Sequence, residues 1–504
     1  MQYWLRDMIA NPYTFLPDHS EFYKTLLGHA EALTPLQALA MSLLLGGDGT
    51  RGYPDMPDTA ELEFPGVNAF QATSQYGWYY FAGTLTGANG VDYGVLCMFY
   101  NNALLPIGLA HHFGLSDLQN QIVDVQLAIS VGGGGKYYQA DPVVAVGTSD
   151  VIRTSDALCL AVERGSAESL EKGSVFPLRV QARGVDLAGA VPVPIAVDLM
   201  FSAGRSYLLQ GYDGAEPLVG GIGTRYYSVP GLVLDPKASS ITIGGEKIAA
   251  AKGTFWMDHQ WGTGGSSRHE ALRAASLENP SVPGWDFFWM NFDGPYSMTL
   301  NSLHTTANLP FINQTGPTPP PKMAAAVVGK YLDPFGTAFN VSGQLTVTDW
   351  RKTDHSPNPA KYANPGTWVP HGWSFTLQEK VVPERLRTFT AVPLNDTAQA
   401  LFFASGHQYV EAPTRLLDAE GHTVGTGFSE AVGYPDNVPN ILDLAGVPVT
   451  PEILALITKS NLITPEMKIA AYFYLLIKAH ADELNRLVAC GSFPATARPA
   501  NCGC

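Results

Sequence analysis

The sequence predicts a mainly β protein: two barrel- or sandwich-like domains framed by helices at both ends. Three observations predict it. Glycine (51) and proline (37) are abundant among the 504 residues and supply turns. Aromatics make up 11% and charged residues only 15%, against roughly 25% charged in an average soluble protein. Short apolar or alternating runs bounded by turn residues fill the chain from about 70 to 440. A hydrophobic content of 46% can bury large cores, which excludes disorder as the general state.

The elements follow in order. Residues 1–65 read as a helical extension, because Thr34-Pro35 is a helix start and Gly46-Gly47 a stop. Residues 66–312 read as a first β domain. Within it Tyr93 to Tyr100 is a strand, and Gly244-Gly245 between Ile241-Thr242-Ile243 and Lys247-Ile248 is a hairpin turn. Residues 313–322 hold Gly316-Pro317-Thr318-Pro319-Pro320-Pro321, a stiff linker and the clearest boundary between domains. Residues 323–440 read as a second β domain, with a strand at Gln344 to Thr348 and a turn at Asp418-Ala419-Glu420-Gly421. Residues 441–504 read as helical again, from the starts Thr450-Pro451-Glu452 and Thr464-Pro465-Glu466. The stripe Ile453, Leu454, Leu456 and Ile457 must be covered, so this segment is expected to support the β core and not to carry chemistry.

Charge and cysteine usage narrow the function. Lys plus Arg number 30 and Asp plus Glu 45, a net −15, which argues against a nucleic-acid partner. The start carries no apolar signal region, and the run Leu36 to Leu45 is far short of the about twenty residues a bilayer span needs. The expectation is a cytoplasmic protein without a transmembrane span, with peripheral membrane contact and a homodimer left open. Cys97 and Cys159 sit alone in apolar segments, and Cys490, Cys502 and Cys504 lie at the end, so reduced thiols are expected.

Common catalytic motifs fail. Gly132 to Gly135 and Lys136 are not a phosphate loop, since Ser130 and Tyr137 stand where Gly and Ser or Thr are required. No G-x-S-x-G elbow occurs. His269-Glu270 lacks a second His at Arg273, and His111-His112 has no carboxylate at useful spacing. No metal is expected to be required.

One stretch survives. Phe255-Trp256-Met257-Asp258-His259-Gln260-Trp261-Gly262 packs an acid, an imidazole and two indoles together. In a strand, Asp258 and Gln260 point one way, and His259 and Trp261 the other. Trp261 can shield His259 and shift its pKa. Further on, Gly284-Trp285-Asp286-Phe287-Phe288-Trp289 sets one carboxyl among four aromatics, which should desolvate it and raise its pKa toward that of a general acid. The same residues would equally suit a structural Asp in an aromatic-filled barrel.

These motifs resemble those of the carotenoid 1,2-hydratase and AttH-like lipocalin family. Tyr226 to Pro230 and the W-x-D-H-Q-W-G run carry the likeness, together with Tyr76 to Phe81, Gln408 to Ala412 and Gly425 to Tyr434, in the family's order. The resemblance implies two lipocalin-like barrels with a ligand cavity near their junction. It implies cofactor-independent chemistry on an apolar small molecule: hydration of an alkene, as in carotenoid and isoflavonoid hydratases, or cyclisation, as in fungal Diels–Alderases. It marks His259, Trp261 and Asp286 as chemically important. Tyr227, Trp78, Tyr80, Glu411 and Glu430 lie in the matching strands and are substrate-contact candidates. Gln260, Val410 and Ala412 depart from the family pattern.

Alkene hydration starts with a proton delivered to carbon, and the barrier is the carbocation that follows. Asp286 as acid, His259 as partner or base, Asp258 beside it, and Trp261, Trp285 and Trp289 as cation-facing walls would fit. A pericyclase needs only a shaped cavity and a few hydrogen-bond donors, and a carrier needs only the cavity. The sequence therefore predicts a hydratase or related lyase or isomerase of a terpenoid or polyene, with a cyclase or a binding protein as alternatives.

Overall fold

The computed structural model describes residues 61–434, apart from 104–115, 135, 141–143, 147–152, 156, 218–222, 264–283, 305–315, 354–367, 403–407 and 433. The helices expected over 1–65 and 441–504 lie outside the described residues, and the described end of the first, 61–65, carries no helix. His111, His112, His269 and the three C-terminal cysteines lie outside as well. Among the described residues no helix is long and apolar enough to cross a membrane.

The described chain is almost entirely strand. Its first part contains β1 (Tyr76–Gly87), β2 (Asp92–Ala103), β3 (Gln121–Val131), β4 (Lys136–Gln139), β5 (Val144–Val146), β6 (Arg153–Thr154), β7 (Cys159–Val162) and β8 (Gly165–Ser169). There follow β9 (Leu178–Asp186), β10 (Val193–Ala203), β11 (Leu208–Leu209), β12 (Ala215–Pro217), β13 (Gly223–Leu234), β14 (Ser240–Ile243) and β15 (Glu246–Thr263). The second part contains β16 (Gly284–Phe292), β17 (Tyr296–His304), β18 (Met323–Leu332), β19 (Ala338–Lys352), β20 (Trp368–Leu377), β21 (Thr388–Pro393), β22 (Ala400–Phe402), β23 (Gln408–Leu417) and β24 (Thr423–Val432).

The first fifteen strands form one sheet, ordered β4-β3-β2-β1-β15-β13-β10-β9-β8-β7-β6, with the four remaining strands paired along it. It curls into an open barrel, with β9 lying against β3 and β4 but with no strand pairing that closes it among the described residues. The other nine form a second sheet, β21-β20-β19-β18-β17-β16-β24-β23, which β21–β23 pairing closes into an eight-stranded barrel, with β22 added on β23. Each sheet surrounds its own core. The first holds Phe81, Val95, Cys97, Leu127, Leu199 and Met257. The second holds Phe288, Leu300, Leu345, Trp373, Phe389 and Val410. Cys97 and Cys159 are buried, as expected.

Local sequence explains these elements. At the β14–β15 turn Gly244 and Gly245 have φ of 62° and 88°, the left-handed pair that a two-residue hairpin requires, and Ile243 pairs with Glu246 across it. The proline-rich stretch behaves differently from its predicted role. β16 and β17 precede it and yet pair inside the second barrel, so 305–322 joins two neighbouring strands, β17 and β18, of one barrel. The change of sheet falls between Thr263 and Gly284. Proline marks where a ladder stops, and that happens at a connection within a sheet as readily as between sheets.

Period-2 alternation decides what faces the junction of the two sheets. On β1 Tyr79, Phe81 and Leu85 enter the first core, while Tyr80 turns to the second barrel, and β15 and β16 alternate likewise. Outward faces that are normally polar and wet are here buried against one another. Strands β2 and β23 come so close that a Cβ on Gly94 would stand 2.1 Å from the Pro413 ring, so only glycine fits there. Polar bonds tie the seam at its flanks: Arg205 Nη1 donates to Ser297 Oγ (2.8 Å), and Asn395 Nδ2 donates to the Lys136 carbonyl (2.9 Å).

Candidate functional site

The sequence places Asp258, His259 and Asp286 within 29 positions, and the fold separates them into three environments. His259 enters the first barrel, Asp258 faces the junction, and Asp286 enters the second barrel.

His259 is stacked on Tyr79 with ring centroids 4.1 Å apart, and Trp261 lies 4.5 Å away. Its Nδ1 is 3.1 Å from the Tyr227 hydroxyl. Tyr227 donates in turn to Asn68 Oδ1, and the Tyr79 hydroxyl donates to the Asn68 carbonyl at 2.8 Å. Burial lowers the His259 pKa to about 3, against a smaller opposing effect of a hydrogen bond to the Val67 backbone. The imidazole is therefore neutral at pH 7. It joins β15 to the segment Pro65–Ala69, in which Gly66–Asn68 forms a 3₁₀ turn. Sequence reasoning missed Asn68 and Tyr79 as its partners, because both lie about 180 residues away or more.

Asp286 lies on the opposite face of β16 from Trp285, Phe287 and Trp289. Trp285 reaches Glu430, Phe287 packs on Tyr226, and Trp289 stacks on Trp256, all at the junction. The Tyr434 hydroxyl lies 3.2 Å and 3.0 Å from the two Asp286 oxygens. Burial raises the Asp286 pKa to about 8, partly opposed by that hydroxyl. The expected desolvated acid exists, but the tryptophans beside it in sequence point away from it.

The junction gathers three other carboxyls. Asp258 on β15 accepts hydrogen bonds at Oδ1 from Trp256 Nε1 (2.7 Å) and from Ser228 Oγ. Ser228 is itself held by Gln210 Nε2 (2.8 Å), and Gln210 Oε1 accepts from Thr299 of the second barrel (3.0 Å). Glu411 on β23 and Glu430 on β24 are direct cross-strand partners, so their carboxyls stand side by side. Tyr80 donates to Glu411 Oε2 at 2.9 Å, and Trp285 Nε1 donates to Glu430. Trp256, Trp289 and Phe428 stack in sequence, with centroids 5.5 Å and 5.2 Å apart, and Tyr80 meets Trp289 edge-on.

Burial dominates the electrostatics. It raises Asp258 to about 7, with Ser228, Trp256 and Tyr226 opposing and Glu430 adding to the rise. Burial also raises Glu411 far above the usual carboxylate range, and the facing Glu430 raises it further. Glu430 is raised by burial too. Two buried carboxyls in contact cannot both ionise, so one of the pair keeps its proton near neutral pH. The candidates Trp78, Tyr80, Trp285, Trp289, Glu411 and Glu430 thus share the junction face with Asp258, whereas Tyr227 and Trp261 share the first barrel with His259.

These shifts predict how stability depends on pH. A carboxyl whose folded pKa is raised stabilises fully below its unfolded pKa, about 4, and that contribution is lost as pH rises through the folded value. Asp258 and Asp286 place the loss up to about pH 8. His259, lowered to about 3, contributes oppositely: stability is lost as pH falls below about 6.5, its unfolded value. From pH 6.5 to 8 the carboxyls outweigh the lowered histidines His259 and His371, whose unfolded forms are already at least half deprotonated there. The melting temperature is expected to fall over that interval, and Asp286→Asn should flatten its upper part. A melting temperature that rises from pH 6.5 to 8 would contradict the assignment.

Comparison with known proteins fits this architecture. The profile of the AttH-like family matches residues 55–316, just over half of the chain. The chain belongs to the AttH-like family. Its fold resembles that of an AttH candidate protein from Nitrosomonas europaea, with 18% identity, a TM-score of 0.55, and coverage of 76% of this chain and 99% of the other. Kievitone hydratase from Nectria haematococca aligns at 15% identity and a TM-score of 0.49, covering 77% of this AttH-like chain and 95% of its own. No curated protein sequence matches the chain.

Proposed function

We infer that this AttH-like chain is a cofactor-independent acid catalyst, a hydratase or related lyase or isomerase, that protonates a C=C bond of an apolar terpenoid or polyene at the junction of its two barrels. One observation carries the reading: Asp258 and Glu411, from the two sheets, are buried, with half-buried Glu430 directly across from Glu411, beside a stacked Trp256–Trp289–Phe428 run. A carboxyl kept protonated by burial is a proton donor at neutral pH, and aromatic faces stabilise a carbocation by about 0.5–2 kcal/mol per ring.

In this reading the Glu411–Glu430 pair gives its shared proton to the alkene. The O–H bond breaks, a C–H bond forms, and the cation develops beside the indoles. Water then adds to the cation, and its surplus proton returns to the doubly ionised Glu pair, directly or by way of ionised Asp258. The net change is addition of water, with the acid restored. Without water capture, loss of a different proton gives an isomer.

Turnover in deuterated water tests this. Extracts that co-purify with the protein, or a polyene panel, should yield product carrying one deuterium on the carbon next to the new alcohol, with a mass gain of one heavy water. A product of unchanged mass without deuterium would point to a cyclase, and unaltered ligand to a carrier; either would overturn the acid reading.

A further inference from the structure

The face of the first sheet that meets the second barrel carries polar side chains whose hydrogen-bonding capacity the fold leaves unused. Strand β3 reads Gln121-Ile122-Val123-Asp124-Val125-Gln126-Leu127-Ala128-Ile129-Ser130-Val131. Val123, Val125, Leu127 and Ile129 enter the first core, so Gln126 and Ser130 face the junction. Gln126 is 1% exposed, and neither its amide nitrogen nor its carbonyl oxygen has a hydrogen-bond partner among the described residues. Gln399 is 0% exposed; its side-chain oxygen accepts from Ser130, and its NH₂ has no partner. The buried hydroxyl of Tyr137, opposite Ser130 on β4, has none either.

These groups border the acid site. Gln126 lies opposite Met98, and Met98 lies opposite Tyr80, whose hydroxyl holds Glu411. Two strand spacings, roughly 10 Å, separate the Gln126 and Tyr80 backbones. Gln399 accepts the Glu411 backbone N–H through its own carbonyl at 2.8 Å, and Glu411 is close enough to act on the Tyr137 hydroxyl. Buried polar groups without partners are rare, because each costs stability that a partner would restore. Three around one carboxyl, spread along about four residues of β3, roughly 13 Å, point to a ligand that supplies the partners.

Their chemistry defines that ligand. The two NH₂ groups and the phenol are neutral donors, and Gln126 Oε1 is a neutral acceptor. The charged groups acting on Tyr137 are acids, Glu411 and Asp186, which disfavours a carboxylate or phosphate there. Neutral donors outnumbering acceptors suit a carbonyl or hydroxyl oxygen.

We propose that Gln126, Tyr137 and Gln399 form a subsite for a neutral oxygenated end, a carbonyl or hydroxyl, of an otherwise apolar substrate. This rests on the junction being the ligand site but not on the ligand being protonated there. A carbonyl conjugated to the reacting alkene and bound at this end would orient the other carbons toward the carboxyls and the stacked indoles.

Binding of farnesal and farnesene tests the subsite, because the two share a C15 skeleton and differ in the oxygen. Titration of the full chain, read by tryptophan fluorescence, should show farnesal bound at least tenfold more tightly. Gln126→Leu and Gln399→Leu should each erase most of that preference while leaving farnesene affinity within about twofold. Free of ligand, Gln126→Leu should melt about 2–4 °C higher, since an unpartnered amide is gone. Equal affinity for the two probes, binding of neither, or an unchanged preference in both variants would overturn the subsite. A lower melting temperature in Gln126→Leu would overturn it as well, by showing that the amide is satisfied in the free protein. None of these readouts uses turnover, so the acid reading can fail in deuterated water while the subsite stands, and the reverse.

Discussion

Glu411→Gln is expected to lower turnover by about a hundredfold or more, with the melting temperature equal to or above that of the wild type. The two halves of this expectation have one cause. Glu411 sits directly across the β23–β24 ladder from Glu430, buried, with Tyr80 donating to it. Folding brings two acids together where only one can ionise, and Gln removes that conflict while keeping the shape and accepting the Tyr80 bond. It also removes the proton. Asp258→Asn should follow the same pattern in turnover, because Asp258 titrates near pH 7 in the same cluster. Rates should fall once pH is high enough to strip the shared proton from the Glu411–Glu430 pair, which burial and mutual repulsion hold above the usual carboxylate range. The decisive comparison is with Asp286→Asn. Asp286 is an acid of raised pKa too, but it faces the interior of the second barrel beside Tyr434. Single-turnover rates should rank the Glu411→Gln loss well above that of Asp286→Asn. The reverse ranking would move the chemistry into the second barrel and overturn the junction reading.

Much of this was legible in the sequence, for identifiable reasons. Strand alternation around Trp256 to Trp261 correctly separated Asp258 and Gln260 from His259 and Trp261, because the side-chain period of a strand is fixed by its geometry. The Gly244-Gly245 hairpin was legible because only glycine accepts both positive φ values at little cost. The assembly of the site was not. Alternation says that neighbours diverge but not which face meets which partner, and a buried outward face looks in sequence like a core face of lower hydrophobicity. Glu411 and Glu430 were recognised as lying in the motif strands, yet their pairing depends on the β23–β24 register. Gln126 drew no attention, although its signal was present: a polar residue alternating with Val125 and Leu127 in a strand buried on both faces. The proline-rich stretch misled because a connection within the second barrel has the same composition as a linker between domains.

His259→Ala is expected to destabilise the protein strongly, by roughly 2–4 kcal/mol, through packing and hydrogen bonding inside the first barrel. The imidazole fills the space between Tyr79 and Trp261, and its Nδ1 meets the Tyr227 hydroxyl. Removing it opens a cavity under Tyr79 and leaves Tyr227 and the Val67 backbone each without one partner. Because Tyr227 and Tyr79 both bind Asn68, the segment Pro65–Ala69 should loosen with it. At about 2–4 °C per kcal/mol for a domain of this size, the melting temperature should drop by roughly 5–15 °C. His259→Gln keeps a donor and an acceptor and should lose less than His259→Ala. Proteolysis near residues 61–69 should accelerate in the same order. A general base would behave differently: at a temperature where the variant is folded, turnover would collapse in both variants alike, while melting of His259→Gln stayed unchanged. His259 points away from the junction, and its pKa near 3 makes it a weak base at neutral pH. The expected result is therefore a loss of stability graded by how well the substitute fills the barrel, with turnover of the folded His259→Gln protein within a few-fold of wild type.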